Sequence, residues 1–191
     1  MARERKFSTD DLYHATKQIL LEHGYEGFNF SLLAEQLDIS RGAIYKYFDN
    51  REELITDYMG YEMRLFLEEL KEIEKYHSFD EKLTFLLDLI FKNSTIPQMI
   101  EIGRRIPINE NIKVKGNVFQ LENLHLEMYK LLQGFIDLGR QEQKLKDAIP
   151  DSLLLGMIFQ SIMIPNHFGV SSSEWVRSIK EILCHGMLKN D

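Results

Sequence analysis

The sequence is poor in cysteine, proline and glycine. It has one cysteine, Cys184, so an intramolecular disulfide is impossible and nothing indicates an oxidising compartment. The four prolines and 11 glycines lie mostly between segments in which apolar residues recur every three or four positions. No alternation of apolar and polar residues typical of β-strands persists. These absences exclude a disulfide scaffold and predict an all-α fold.

Long apolar runs are missing as well. The longest, from Leu153 to Pro165, is interrupted by Gln160 and Ser161 and is shorter than the roughly 20 residues that span a bilayer. The N-terminus is charged and then polar, without the apolar stretch of a signal peptide. We therefore expect a cytoplasmic protein without a membrane partner. The 191 residues, 44% of them hydrophobic, suffice for one large domain or for a small and a medium one.

The chain has no excess of positive charge. Its formal net charge is −7, and residues 1–51 carry seven basic and eight acidic side chains. Most of the basic side chains lie in the N-terminal tail and in the stretch 41–51. Charge alone therefore does not indicate DNA as a partner, although the local placement of cations matters more than the net charge.

Residues that carry catalysis or bind metals form no recognisable pattern. The six histidines show no metal-ligand spacing with carboxylates or with Cys184. The sequence contains no glycine-rich phosphate loop, nucleophile elbow or paired-carboxylate site. We therefore expect neither a metal nor a cofactor, and we expect that the protein is not an enzyme.

Capping residues and apolar periodicity predict about nine helices. Ser8 is placed to cap the first helix and Gly24 to end it. Asn29, Ser40 and Asn50 are expected to cap the next three, of which the fourth is long. Further helices are expected at 79–94, from Pro97 to before Pro107, and at 118–143, 151–166 and 174–188, with a loop at 108–116. The natural boundary inside the fourth helix gives two domains, 1–52 and 53–191.

The stretch from Phe28 to Leu54, FNFSLLAEQLDISRGAIYKYFDNREEL, has the plan of a helix-turn-helix. The second helix of this motif enters the major groove of DNA. Ala34 is small where the two helices would cross, and Ile39 is the apolar turn residue that fixes their angle. Ser40 would cap the recognition helix, and Gly42 would let its backbone approach the DNA closely.

This stretch strongly resembles the TetR family of bacterial transcription regulators. The residues that meet the family's pattern are Ile39, Ser40, Gly42, Ala43, Ile44, Tyr45, Tyr47, Phe48, Arg51 and Leu54. The resemblance covers about residues 8–56. Beyond them, only the length and the helical architecture can be compared with those of the family. It implies an N-terminal three-helix helix-turn-helix DNA-binding domain and a C-terminal helical ligand-binding and dimerisation domain.

The resemblance implies DNA contacts in the motif and in the N-terminal arm. The residues are Ser40, Arg41, Gly42, Ala43, Tyr45, Lys46, Tyr47 and Arg51, with Arg3, Arg5 and Lys6 in the arm. Arg41 and Lys46 are candidates for guanine edges, and Tyr45, Tyr47 and Arg51 for phosphates, with Tyr45 partly against the first helix. The alternative is a set of solvated surface charges and a disordered tail. Because the segment has few cations, we expect DNA affinity to depend only moderately on salt concentration.

In the family, the larger domain encloses a ligand cavity whose occupancy moves helix four and changes the separation of the two recognition helices. Residues with suitable apolar or aromatic bulk here are Phe66, Phe85, Phe91, Met99, Phe119, Tyr129, Phe159, Met163 and Phe168. Side chains of this kind are also common in an ordinary core, which is the alternative interpretation.

The segments 151–166 and 174–188 are the expected dimer surface. The first is apolar on more than one side, and the second supplies a matching stripe. The resemblance implies that they pair with their symmetry mates as a four-helix bundle. The expected interface residues are Leu153, Met157, Ser161, Ile164, Trp175, Ile179, Ile182 and Gly186.

The sequence thus predicts a homodimeric, sequence-specific transcription regulator. The hypothesis is a repressor that a small lipophilic effector releases from a palindromic operator in double-stranded DNA. A DNA-binding regulator without a small-molecule ligand, or an activator, is an open alternative. A helical carrier or enzyme is a remote one, because the sequence offers no convergent polar constellation for it.

Overall fold

The computed structural model describes residues 7–92, 95–108 and 111–186. All regular structure within these ranges is helical, which confirms the all-α fold. The helices are α1 Thr9–Gly27, α2 Phe30–Gln36, α3 Arg41–Ile44, α4 Arg51–Leu70, α5 Phe79–Phe91, α6 Ile96–Arg105, α7 Ile112–Leu131, α8 Gln133–Gln141, α9 Asp151–Gln160 and α10 Ser172–His185. Short 3-10 helices cover Lys71–Lys75 and Ser161–Met163. None of these helices is both long enough and apolar enough to cross a membrane.

The first two helices begin at the predicted caps. The Ser8 hydroxyl accepts from the N–H of Asp11 at 3.0 Å, and the Asp11 carboxylate accepts from the N–H of Ser8 at 2.9 Å. Asn29 likewise caps α2. Ser40 occupies the N-cap position of α3, but its side chain makes no capping hydrogen bond. The predicted cap position is thus confirmed, but the side-chain hydrogen bond is missing because the Ala43 N–H donates to the Ser40 backbone carbonyl instead, at 2.9 Å.

The second half of the chain departs from the predicted helix bounds. α7 begins at Ile112, inside the expected loop, because Asn111 accepts from the N–H of Lys113 at 2.9 Å and caps the helix. The single helix expected over 118–143 is divided into α7 and α8, since Leu132 adopts φ −87° and ψ 0°. α9 ends at Gln160, where a 3-10 turn follows.

The chain packs as two compact units. Unit 1 comprises Met1–Leu65 and Gln98–Leu124, and unit 2 comprises Phe66–Pro97 and His125–Asp191. α4 and α7 therefore each contribute residues to both units. The functional boundary between residues 52 and 53 is a different division of the chain and stays a prediction.

One apolar core in unit 1 joins the first four helices. Leu20, Leu33, Ile44 and Leu54, from α1 to α4 in turn, are fully excluded from solvent and belong to a single cluster. Burial of such a side chain contributes about 1.5–3 kcal/mol. An isolated helix of only four residues is not stable, so α3 depends on Ile44 and this core.

The core of unit 2 is built on α5. Phe79 stacks on Phe135 of α8 with 4.8 Å between ring centroids. A β-carbon on Gly139 would lie 2.6 Å from the Phe79 ring, so the close approach of α8 requires a glycine at this position. Lys180 of α10 also pairs with Asp80 of α5 at 3.0 Å. α5 therefore contacts both α8 and α10.

Arg51 attaches the first turn of α4 to the end of α1. Its Nη1 donates to the carbonyl oxygens of Tyr25 and Phe28 at 3.2 and 3.1 Å, and its guanidinium lies 4.4 Å from the centroid of the Tyr25 ring. Its Nε donates to the Glu52 carboxylate at 2.9 Å, which also accepts from the Tyr25 hydroxyl at 2.7 Å. Burial acts to raise the pKa of Glu52, but these hydrogen bonds outweigh it and the pKa lies below its ordinary value.

We expect Arg51→Lys to lower the free energy of unfolding by about 1–3 kcal/mol, because an ammonium cannot reproduce the planar contact and the fork of hydrogen bonds. Urea denaturation followed by circular dichroism measures the change. Arg104→Lys is the matched control, since the Arg104 side chain is 61% exposed and pairs with Glu101 of its own helix. The control should change stability by less than about 0.5 kcal/mol. Equal effects of both substitutions would contradict this role of Arg51.

The two serine caps provide a second comparison. Ser8→Ala should lower stability by about 1 kcal/mol, because the hydroxyl that accepts from Asp11 is removed. Ser40→Ala is the same change at a position without a capping hydrogen bond, so its cost should stay within about 0.5 kcal/mol. Thermal denaturation of both variants and the wild type measures the difference. A loss for Ser40→Ala as large as that for Ser8→Ala would refute the distinction.

Candidate nucleic-acid interface

The turn between α2 and α3 fixes the angle between the two helices. The Ile39 N–H donates to the carbonyl of Ala34 at 2.9 Å, and Asp38 adopts a left-handed φ of 51°. Ala34 is 5% exposed, and Ile39 packs against the core of unit 1. α2, this turn and α3 therefore have the arrangement that the helix-turn-helix pattern predicts.

α3 and the turn after it present a polar surface to solvent. The exposed residues are Ser40, Arg41, Gly42, Tyr45, Lys46 and Tyr47, while Ala43 and Arg51 are half-buried. Ile44 points the other way and is fully buried. The structure thus brings the predicted DNA-contact residues of the motif together. The predicted arm residues Arg3, Arg5 and Lys6 lie outside the described residues.

The two exposed tyrosines are each held by a neighbouring ring. Tyr45 packs edge-on against Phe30 of α2 with 5.1 Å between centroids, so its ring is supported by the second helix, where a contact with the first was expected. Tyr47 packs edge-on against Phe7 at 5.9 Å, and Phe7 is itself buried. Each ring therefore packs on a buried phenylalanine ring, and this contact restricts its rotamers and lowers the entropic cost of binding a partner.

Arg41 lies beside the start of α2. Its Nη1 donates to the hydroxyl of Ser31 at 3.5 Å, and both side chains are exposed. The sequence analysis did not single out Ser31, although its place two residues after the cap Asn29 puts it in the first turn of α2. Arg41 and Ser31 together form a polar edge where the two helices meet.

Arg51 differs from the other predicted contacts. Its guanidinium binds the carbonyls of Tyr25 and Phe28 and the Glu52 carboxylate. It therefore has a structural role inside unit 1, and the predicted phosphate contact stays a prediction.

The start of α7 lies against the segment after the recognition helix. A groove of 410 Å³ between them is lined by Tyr47, Phe48, Glu53, Asp57, Lys113, Gly116, Asn117 and Gln120. Sequence reasoning missed Lys113 and Gly116 because it placed 108–116 in a loop, and it singled out neither Asn117 nor Gln120. The Asn111 cap was the signal that could have found them.

Three predicted ligand-pocket residues meet in unit 2. Phe159 of α9 lies 6.4 Å from Phe66 and 6.4 Å from Tyr129, measured between ring centroids. All three side chains are half-buried. We call these three residues the aromatic cluster.

The other six predicted pocket residues lie elsewhere. Met99 and Phe119 belong to unit 1, where Met99 packs on the core and Phe119 is 63% exposed. Phe168 is 95% exposed and lies in the connection between the 3-10 helix Ser161–Met163 and α10. Phe85 packs on Tyr76, 5.1 Å away. Met163 is half-buried in a 3-10 turn, and Phe91 lines a groove between α5 and α10.

This α5–α10 groove has a volume of 530 Å³. Its lining comprises Thr84, Leu87, Asp88, Phe91, Lys92, Ser172, Ser173, Val176, Arg177 and Lys180. It combines apolar side chains with three cations and one carboxylate. Among the described residues, no group of histidine, cysteine and carboxylate side chains could hold a metal ion.

The predicted dimer residues are divided between the surface and the interior of unit 2. Those exposed are Leu153, Met157, Ile164 and Ile182, at 54, 55, 47 and 45%, together with Gly186. Trp175 is half-buried. Ser161 and Ile179 are each 5% exposed, which corrects the expectation for these two. Ser161 donates to the Ile158 carbonyl, and Ile179 shares a face of α10 with Val176, which lines the α5–α10 groove.

Comparison with known proteins supports the interpretation of this surface. The model of the tetR family of bacterial regulatory proteins matches residues 12–58. A fatty acid metabolism regulator protein of Bacillus subtilis (strain 168) is 24% identical over 150 residues, which are 78% of this chain and 76% of that protein.

Solved structures share the fold. FadR from Bacillus subtilis, in complex with stearoyl-CoA, has a TM-score of 0.72 at 20% identity, over 95% of this chain and 100% of that chain. AibR, in complex with isovaleryl coenzyme A and operator DNA, has a TM-score of 0.71 at 16% identity, over 95% and 98%.

The matched residues 12–58 run from α1 into α4, so they contain the whole helix-turn-helix and most of the core that supports it. The likeness to the solved structures extends the shared fold over nearly the whole chain. Residues 12–58 are therefore a helix-turn-helix domain of the tetR family of bacterial regulatory proteins, and the chain as a whole shares its fold with FadR and AibR.

Proposed function

We propose that the protein is a homodimeric repressor that binds a palindromic operator through α3 and leaves it when an acyl-CoA binds unit 2. The observation that carries the DNA-binding part is the exposed polar surface of α3 above the buried Ile44. Arg41 and Lys46 on this surface are suited to guanine edges, and Tyr47 to a phosphate. The protein would act in the cytoplasm, without catalysing a reaction.

A homodimer is proposed from the apolar side chains on unit 2. Leu153, Met157 and Ile182 are large, apolar and about half exposed, on helices α9 and α10. A contiguous exposed apolar patch marks an interaction surface, and we propose that these three side chains belong to one. A twofold contact between such surfaces would present two copies of α3 to the two halves of a palindrome.

An acyl-CoA is proposed as the effector because both FadR and AibR were solved with one. The chemistry of unit 2 is compatible with it. An acyl chain requires apolar and aromatic side chains, which the aromatic cluster and the floor of the α5–α10 groove provide. The anionic coenzyme requires cations, and Lys92, Arg177 and Lys180 line that groove.

The DNA-binding part predicts distinct effects for two substitutions in the recognition segment. On an operator selected by the wild type from random duplex DNA, Arg41→Ala should weaken binding by about 1–3 kcal/mol and relax specificity at one position per half-site. Tyr47→Phe should weaken binding to all sequences alike, because it keeps the ring against Phe7 and removes only the hydroxyl. Fluorescence anisotropy measures both.

Arg105→Ala is the control, since Arg105 is exposed on α6 and pairs with Glu101 of the same helix at 3.4 Å. All three variants should keep the wild-type oligomeric state and melting temperature. Operator binding by Arg41→Ala and Tyr47→Phe equal to that of the wild type would refute α3 as the recognition helix.

The effector is tested by thermal denaturation with isovaleryl-CoA and stearoyl-CoA, with free coenzyme A as control. A ligand that binds only the folded state stabilises it by about 2.7 kcal/mol at a hundredfold excess over Kd. The acyl-CoA that raises the melting temperature most should also release the operator in the anisotropy assay. The absence of a shift with both acyl-CoA esters would contradict this class of effector, whereas a shift without operator release would contradict the repressor mechanism.

A further inference from the structure

The buried carboxylate of Glu53 connects the recognition segment to α7. Glu53 is 6% exposed, and its Oε2 accepts from the N–H of Asp49 at 2.8 Å. Its Oε1 lies 3.1 Å from the Nζ of Lys113, which also lies 2.9 Å from the Asp49 carboxylate. One ammonium of α7 therefore bridges two carboxylates, and hydrogen bonds to Asp49 and Glu53 raise the pKa of Lys113.

Asn117 makes a second attachment one helical turn further along α7. Its Nδ2 donates to the Glu53 backbone carbonyl at 3.2 Å and to the Thr56 hydroxyl at 3.1 Å. Thr56 is 2% exposed, so this contact reaches into the interior of unit 1. Residues four apart share a face of a helix, and Lys113 and Asn117 therefore approach the first turn of α4 together.

The site of these contacts matters for DNA binding. Asp49 follows the predicted phosphate contact Tyr47 by two residues, and Tyr47, Lys113 and Asn117 line the same groove. Without the ammonium, Asp49 and Glu53 would place two unneutralised carboxylates beside a surface that must meet phosphates. Repulsion between the two carboxylates would also act on the segment that leads from α3 to α4.

We propose that Lys113 is a positioning residue for operator binding. It neutralises Asp49 and Glu53 and holds the segment between α3 and α4 in the conformation that presents α3 to DNA, while Asn117 fixes α7 to the first turn of α4. The inference rests on the proposed function, because it requires that α3 reads an operator. It adds a residue far outside the helix-turn-helix to the determinants of affinity.

The experiment compares Lys113→Met with a matched control in the full-length protein. Lys115→Met removes the same charge from the same exposed part of α7, where no salt bridge of Lys115 occurs among the described residues. Operator affinity is measured by fluorescence anisotropy at a temperature at which thermal denaturation shows every variant folded. Lys113→Met should weaken binding by about two- to thirtyfold and Lys115→Met by less than about twofold. Lys113→Arg, which keeps the bridging cation, should restore affinity.

A salt titration separates positioning from direct contact with DNA. Removal of a lysine that contacts a phosphate lowers the slope of log affinity against log salt by about one. Lys113→Met should change this slope by less than about half a unit. A full decrease, together with lost affinity, would overturn the proposal in favour of a direct contact.

The ion pair between Lys113 and Asp49 is tested with a double variant that carries both Lys113→Met and Asp49→Asn. Since the second substitution removes one of the unneutralised carboxylates, the double variant should bind the operator more tightly than Lys113→Met alone. Equal affinities of the wild type and Lys113→Met, or additive losses in the double variant, would overturn this inference alone. A wild type that selects no duplex would overturn the proposed function and this inference with it.

Discussion

The first turn of α4 is the element on which the rest of the DNA-binding surface depends. The recognition helix α3 has four residues, which is too short for stability of its own. Its one fully buried side chain, Ile44, attaches it to the core, and the short segment 45–50 then leads into α4. Arg51 attaches that first turn to the end of α1, and Asn117 attaches it to α7. The orientation of α3 is therefore set by contacts made outside α3.

The same contacts explain how an acidic chain can present a surface suited to DNA. The formal net charge is −7, yet the carboxylates of Asp49, Glu52 and Glu53, which follow the recognition segment, have basic or hydroxyl partners. Glu52 accepts from Arg51 and Tyr25, and Lys113 pairs with both Asp49 and Glu53. Arg41 on α3 and Lys46 in the turn after it remain exposed. Local neutralisation rather than net charge determines the field that a phosphate meets.

The sequence predicted the N-terminal unit in detail because short-range rules govern it. Capping boxes, the small Ala34 and the apolar Ile39 act within a few residues, and the structure places each as the motif requires. Ser40 was the exception, since in a four-residue helix the Ala43 N–H reaches a backbone carbonyl instead of the side chain.

The sequence-based prediction was weaker where packing between distant segments determines which side chains are in contact. Apolar or aromatic bulk in the sequence does not say which side chains meet. The predicted pocket residues therefore included Phe66, Tyr129 and Phe159, whose rings are in contact, and also the exposed Phe168. The sequence analysis did not single out Lys113, because its partners lie more than 50 residues away and the start of its helix was predicted to be a loop. A lysine that acts by pairing with a buried carboxylate far away in the sequence produces no local sequence pattern.

The central claim is that α3, oriented by the first turn of α4, enters the major groove in each half of a twofold operator. Hydroxyl-radical footprinting of the full-length protein on its selected operator tests this most directly. The account predicts two protected segments related by dyad symmetry, on one face of the duplex and separated by about one helical turn or a multiple of it. A single protected segment without a dyad, or uniform protection along the duplex, would contradict it.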